Sequence, residues 1–284
     1  MGEAYGSAAT HESLNEQWVP NLPRRLRFVR IVTWNVNSIG ARIDRVLTWV
    51  DANRPDVLAL QELKCTSEAF PAAGFAELGY RAHAHGTGRW NGVALISRLP
   101  AEDVRRDLLE QPEFDGAIEP RAIGATFDGV RVWSVYVPNG REVGHDHFHY
   151  KLSWLDALAR TVAAEAGDQP YAVIGDFNIA PTDDDVWDIS VFDGATHVSP
   201  EERAKLSTLQ EAGLREVVPR SLKGKNYTYW DYRQLAFQKG MGMRIDLLLA
   251  NRAFHERVTD AWIDREERKG KGASDHAPVI VDLA

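Results

Sequence analysis

Cysteine is almost missing from this 284-residue chain, which holds a single one, Cys65. No disulfide can form within the chain and no cysteine-built zinc site is available, so a reducing compartment, the cytoplasm, is the expected location. Long hydrophobic runs are missing too: Val93–Ile96 and Leu247–Ala250 fall far short of the roughly 20 residues that a membrane span needs, and no membrane association is expected. Residues 1–26 carry Gly2, Gly6, Ser7, Asn15, Pro20 and Pro23 without an apolar segment, which excludes a secretory signal of the usual three-part kind there. They read as a flexible tail. No Pro/Gly/Ser linker divides the chain after it, so residues 27–284 are expected to form one domain.

An excess of positive charge is also lacking, the formal net charge being −8. Proteins that bind phosphate-rich polymers usually carry surplus Lys and Arg, because each phosphate contact releases counterions. Local charge decides more than the total, since carboxylates that hold divalent cations are neutralised at the place where a phosphate would dock. Basic clusters stand at Arg24, Arg25, Arg27 and Arg30, at Arg105 and Arg106, and at Lys223, Lys225, Lys269 and Lys271; each is equally readable as a solvated face.

What is present is a succession of strand-like runs rich in Val, Ile, Trp and Tyr: Arg27–Val36, Asp56–Leu63, Gly92–Arg98, Ala122–Phe127, Val130–Val137, Tyr171–Asn178, Met243–Asn251 and Ala277–Leu283. Asp128-Gly129 joins two of them as a hairpin turn. Helical spacing links Ile43, Val46, Leu47 and Val50, and again Leu152, Leu155, Ala159 and Val162. A third helix is predicted to start at Ser199, with Pro200 at its first position and Glu202 completing a capping box, and to stop at Gly213. Hairpins mixed with single helices indicate an α/β chain with largely antiparallel sheets. The acidic stretch Thr182–Thr196, with Asp183, Asp184, Asp185 and Asp188, is expected as a surface excursion.

Polar residues recur where an apolar strand stops: Asn35 and Asn37, Glu62, Asp176 and Asn178, and Asp275-His276. Any one of these is ordinarily a turn former. Together they suggest strand ends gathered on one sheet edge, where an isolated buried polar group would cost about 2–7 kcal/mol unless paired or coordinated. Oxygen ligands with one histidine among them favour Mg²⁺ or Mn²⁺ over zinc, and such an ion suits phosphate chemistry. Asp246, inside an apolar strand, is a natural partner for His276. His83, His85, His145, His147 and His149 have no matched partners and read as surface or structural.

At these residues the sequence resembles the exonuclease III and abasic (AP) endonuclease family, within the endonuclease/exonuclease/phosphatase superfamily. The motifs run in family order: TWNVN at 33–37, LQELK at 60–64, VYVPNG at 135–140, GDFNIAP at 175–181, YTYWDY at 227–232, RIDLLLA at 244–250 and SDHAPV at 274–279. The resemblance implies a four-layered α/β sandwich, two packed mixed and mainly antiparallel sheets flanked by helices. It implies Mg²⁺, with Mn²⁺ as substitute, held by Glu62 with Asn35 and Asp275, and with Asp176 and Asn178 at the same centre. Asp176 would activate or orient water, Asn178 and Tyr136 would bond to the scissile phosphate, and the Asp246–His276 pair would set an imidazolium against it. Whether Asp176 or the pair is the base stays open, because groups this close share their protons.

Tyr229, Met243 and Ile245, with Trp230 beside them, match the apolar pocket for a flipped abasic sugar; a missing base leaves no stacking to break. Two departures stand out. Met243 replaces a bulky Trp of some relatives, which loosens that wall, and Asn37 replaces an acid, which weakens any second metal site. The implied activity is hydrolysis of double-stranded DNA 5′ to abasic sites, with 3′–5′ exonuclease and 3′-end-cleaning phosphodiesterase or phosphatase activity, by a monomer. The alternatives are another metal-dependent phosphoesterase of the superfamily, such as a nonspecific nuclease or an inositol or lipid phosphatase, and a catalytically inactive DNA-binding protein.

Overall fold

The computed structural model describes residues 1–2 and 28–284; the tail expected at 1–26, except Met1 and Gly2, and the arginines at 24, 25 and 27 fall outside the described residues. The strands in chain order are β1 (Val29–Asn35), β2 (Val57–Gln61), β3 (Arg81–His85), β4 (Val93–Ser97), β5 (Ala101–Arg106), β6 (Ala122–Phe127), β7 (Val130–Tyr136), β8 (Tyr171–Asp176), β9 (Arg215–Glu216), β10 (Arg220–Ser221), β11 (Asp246–Ala250), β12 (Val258–Ile263) and β13 (Val279–Leu283). Among the described residues they form a seven-stranded sheet, β10-β12-β13-β1-β2-β4-β3, and a six-stranded sheet, β5-β6-β7-β8-β11-β9.

Successive side chains of a strand face opposite ways, and here both faces are covered, which is why the central strands read as unbroken apolar runs. Ile31, Val57, Ala59, Val93 and Leu95 of the first sheet meet Ile123, Ala125, Val132, Ala172, Ile174 and Leu248 of the second. The alternate residues Val32, Trp34, Leu58, Leu60, Ala94 and Ile96 pack outward on α1 (Ile39–Asn53) and α2 (Ala72–Glu77) through Val46, Trp49, Val50 and Phe75. On the far side, Trp133, Val135, Val173, Leu247 and Leu249 meet Trp154, Leu155, Leu158, Leu206 and Leu209 of α3 (Asp146–Glu165) and α4 (Pro200–Glu211). The layers are helix, sheet, sheet, helix, as the resemblance implied. Each fully buried Leu, Ile or Val contributes about 1.5–3 kcal/mol relative to exposure.

Local signals hold where they rest on backbone chemistry. Asp128 and Gly129 both take positive φ, 48° and 79°, as a two-residue hairpin turn between β6 and β7 requires. Ser199 Oγ accepts from Glu202 N–H at 3.2 Å and Glu202 Oε2 accepts from Ser199 N–H at 3.1 Å, closing the capping box of α4. Gly213, with φ 97°, follows its end. Arg105, half of one basic cluster, is paired with Asp103 and Glu165. None of the helices among the described residues is long and apolar enough to cross a membrane.

Strand direction positions everything polar. β1 with β2, and β7 with β8, run parallel, so their carboxyl ends share an edge. β11 and β13 run antiparallel to β8 and β1, which brings their amino ends to that same edge. Gly175, φ 150°, lets β8 lie this close to β7: a Cβ there would stand 2.0 Å from Val135 O.

Candidate active site

The register sets Asn35 beside Gln61, Tyr136 beside Asp176, and Asp176 beside Asp246, so the last residues of four strands and the first of a fifth meet. Glu62, one residue beyond β2, and Asn178, two beyond β8, take left-handed backbone with φ 55° and 51°. Such strain in non-glycine residues persists where surrounding bonds over-determine it. Asn178 N–H donates to Asp176 Oδ1 at 2.9 Å and its amide donates to Val137 O at 3.0 Å.

Asn35 bridges the two central acids, its amide nitrogen lying 2.9 Å from Glu62 Oε1 and 2.9 Å from Asp176 Oδ2. His276 Nδ1 lies 2.8 Å from Asp246 Oδ2, and its Nε2 faces Asp176 Oδ2 at 3.8 Å. Burial opposes charge on this imidazole, but the Asp246 and Asp176 carboxylates prevail and raise its pKa to about 10. Burial, with Asp246 and Glu62 nearby, pushes Asp176 up to about 7 against the pull of His276. Glu62 is held below the usual carboxylate range: burial works against this, and Lys64 and the Asn35 amide outweigh it. Burial and the neighbouring Glu62 raise the Tyr136 phenol.

Glu62, Asp176 and His276 each offer one ligand atom, all within 4.8 Å of one another. The donor set fits a hard divalent cation: two carboxylates joined by an amide, with the Lys64 ammonium already drawn to Glu62 Oε2 at 2.9 Å. Because Asp246 and Asp176 hold His276 as an imidazolium, whose Nε2 then carries a proton, the ion would rest on the oxygens of Glu62 and Asp176. Asp275 lines the same cavity, with its Oδ1 taking the Asn37 amide at 3.1 Å. Asn37 Oδ1 in turn faces Lys64 Nζ, so this position serves the ammonium.

The cavity measures about 170 Å³ and is lined by Tyr229, Met243 and Ile245 together with Glu62, Asp176 and His276. The Tyr229 ring lies 4.9 Å from that of His276. Trp230 is a correction. It is 1% exposed and packs in the inter-sheet core, edge-on to Tyr227 and Phe237. Tyr229 bridges to both Met243 and His276 in extended conformation, and on extended backbone the next side chain points the other way.

Two residues of the site escaped the sequence reading. Asn139, inside the quoted VYVPNG motif, and His197 both line the cavity, with His197 Nε2 3.1 Å from Asn178 Oδ1 and 3.2 Å from the Asn139 amide. Burial, and then Lys151, lower the His197 pKa to about 4. Beneath them Lys151, fully buried, donates to Asn178 O at 2.7 Å and Asn139 O at 3.2 Å and pairs with Glu202. Glu202 therefore does more than cap a helix: it also accepts from Thr196 Oγ1 at 2.8 Å and His197 N–H at 3.0 Å.

The acidic stretch is only partly a surface excursion. Asp185 is buried and takes Arg244 Nε at 2.6 Å and Nη2 at 2.9 Å, which ties the stretch to the residues before β11. Of the five histidines read as lacking matched partners, His145 caps α3, His147 Nδ1 accepts the Gly140 N–H at 3.1 Å, and His85 does have a partner, Asp107, at 2.7 Å.

Residues 32–276 match the model of the Endonuclease/Exonuclease/phosphatase family. Exodeoxyribonuclease III of Haemophilus influenzae is 29% identical over 269 residues, covering 90% of this chain and all of that protein. DNA repair nuclease APEX1 of Danio rerio is 30% identical, covering 90% and 82%. Among solved structures, the Neisseria 3′ phosphatase NExo bound to a product DNA hairpin is 36% identical with TM-score 0.84, covering 90% of this chain and 99% of that one. An AP endonuclease from Archaeoglobus fulgidus is 31% identical with TM-score 0.83 at the same coverage.

Proposed function

Because this chain belongs to the endonuclease/exonuclease/phosphatase family, in its exonuclease III and AP endonuclease branch, and is thereby a phosphodiester hydrolase, we propose that it is a Mg²⁺-dependent DNA repair nuclease. It cuts double-stranded DNA 5′ to abasic sites and clears blocked 3′ ends, acting as a cytoplasmic monomer. The observation that carries this reading is the convergence of Glu62, Asp176 and His276 on one strand edge, facing a small cavity with the apolar walls Tyr229, Met243 and Ile245. An abasic sugar offers a compact apolar face to such walls, while its phosphate meets the polar side. An inositol or lipid phosphatase has no need of that arrangement.

Glu62 and Asp176, with Asn35 and Asp275 alongside, would hold Mg²⁺, which would supply positive charge where negative charge develops on the phosphate. The chain's own groups do the rest. Asp176 Oδ1 accepts the Asn178 N–H and Oδ2 the Asn35 amide, so its carboxylate is aimed and is the acceptor for a water proton. His276, locked through Nδ1 on Asp246, has only Nε2 to offer, and as an imidazolium it donates to the phosphate. Asn178 and Tyr136 orient that phosphate. Clearing 3′ ends draws support from the 36% identity to a protein described as a 3′ phosphatase.

The test is a duplex with one tetrahydrofuran site and a second duplex nicked at a 3′-phosphate, each incubated with Mg²⁺ or EDTA. Metal-dependent incision 5′ to the tetrahydrofuran and loss of the 3′-phosphate are expected. Turnover of inositol phosphates with DNA untouched would replace the reading with a phosphatase, and tight binding without cleavage with an inactive DNA binder.

A further inference from the structure

Beside the catalytic cavity, and sharing Glu62, Tyr136 and Asn139 with it, opens a groove of about 760 Å³. Its outer wall is formed by Trp90 and Ile118, exposed by 69% and 48%. The Arg89 guanidinium covers one side of the indole, 5.5 Å from its centroid, and Arg141 stands 5.8 Å over Phe114 in the same groove. Among the described residues neither arginine has a carboxylate partner. The remaining charges cancel: Lys64 pairs with Glu62 and Arg121 with Glu119, which leaves Asp115 against the two arginines.

The loop that carries Trp90 is fastened to the catalytic edge. Lys64 N–H donates to Asn91 O at 2.9 Å, Leu63 N–H to Gly92 O at 3.1 Å, and Gly92 N–H to Pro120 O at 3.1 Å, while the Asn91 amide reaches Glu119 at 3.1 Å. An exposed indole on a loop fastened to the catalytic edge, with guanidinium groups that lack carboxylate partners along the same groove, is the chemistry that receives unpaired nucleotides: aromatic faces take the bases and cations follow the backbone.

We propose that this groove is a second subsite, in which an unpaired base next to the scissile phosphate stacks on Trp90 while Arg89 and Arg141 hold the flanking backbone. The enzyme thereby favours frayed or mismatched ends over paired ones. The inference rests on the reading of the chain as a DNA nuclease.

Its test compares two duplexes with the same 3′-phosphate, one fully paired and one with the last two nucleotides mismatched. The wild type should show the lower KM on the mismatched duplex. Trp90→Ala should raise that KM by about 5-fold to 100-fold, the span that base–aromatic stacking provides, with little change on the paired duplex and kcat within about twofold. Trp90→Phe should recover most of the loss, which a purely structural role would not demand, and an unchanged melting temperature confirms intact folding. Equal KM values for wild type and Trp90→Ala on the mismatched duplex would overturn the subsite and leave the nuclease reading standing. Failure of the wild type on both duplexes would overturn both.

Discussion

His276 Nδ1 is engaged by Asp246 Oδ2 at 2.8 Å, and this single bond decides which ring nitrogen faces the catalytic cavity. Asp246 is fully buried in a strand of apolar neighbours. Its carboxylate keeps the imidazole both charged and oriented. Asp246→Asn should therefore lower kcat on abasic DNA by about 10²–10⁴-fold, the usual scale for a misplaced acid–base group. Steady-state kinetics beside a circular dichroism melt checks it, with the fold expected to survive.

Asp176→Asn should produce a loss of the same order, about 10²–10⁴-fold in kcat, because an amide cannot accept the water proton. The amide oxygen of the variant would still accept from one of the two sides that now bond the carboxylate, Asn178 N–H or the Asn35 amide, which keeps the side chain in the site, so KM should move less than kcat. Single-turnover kinetics separates the two effects.

Lys151 and Glu202 form a fully buried ion pair under three loops of the site. Breaking such a pair from one side leaves an uncompensated charge and costs about 3–5 kcal/mol. Lys151→Met should lose about that much in urea unfolding. The double variant Lys151→Met with Glu202→Gln should lose less, and the difference measures the stranded charge.

His147 gives a pH dependence. Burial, then Arg121 and Arg141, lower its pKa to about 4, against about 6.5 in an unfolded chain. Between those values the unfolded chain binds the extra proton, so stability rises with pH across the window. The contribution is fully present above about 6.5, falls away as pH drops towards 4, and is flat below. In the folded protein Nδ1 must also stay unprotonated to accept the Gly140 N–H. His147→Gln should flatten this part of the acid loss, read as the wild-type-minus-variant difference in unfolding free energy from pH 7 to pH 4.

The strands legible in the sequence are those buried on both faces, because burial forces continuous apolar runs; β1, β2, β4, β6, β7, β8, β11 and β13 stand within a few residues of their expected bounds. The strands that escaped are β3, β5 and β12, with the two-residue β9 and β10. β5 reads Ala-Glu-Asp-Val-Arg-Arg at a sheet edge, where pairing comes from position and not from composition. Site residues at strand ends were legible for the reason that strands end there. His197 was not, since it follows a long non-repetitive excursion and is placed at the cavity by bonds to other segments, its backbone N–H donating to Glu202 and its carbonyl accepting from Ala180 N–H. Trp230 misled because adjacency in an extended segment means opposite faces.

Metal binding to the folded chain alone should raise stability by mass action, about 2.7 kcal/mol at a hundredfold excess over Kd. A melting temperature that climbs with Mg²⁺ in the wild type and stays flat in Glu62→Gln checks this without any substrate.

The most direct measurement is anomalous diffraction from crystals soaked in Mn²⁺. A peak between the carboxylates of Glu62 and Asp176, at oxygen-ligand distances of about 2.0–2.4 Å, is the expected result. Well-ordered Mn²⁺ bound elsewhere on the chain, with that position left without a peak, would contradict the account.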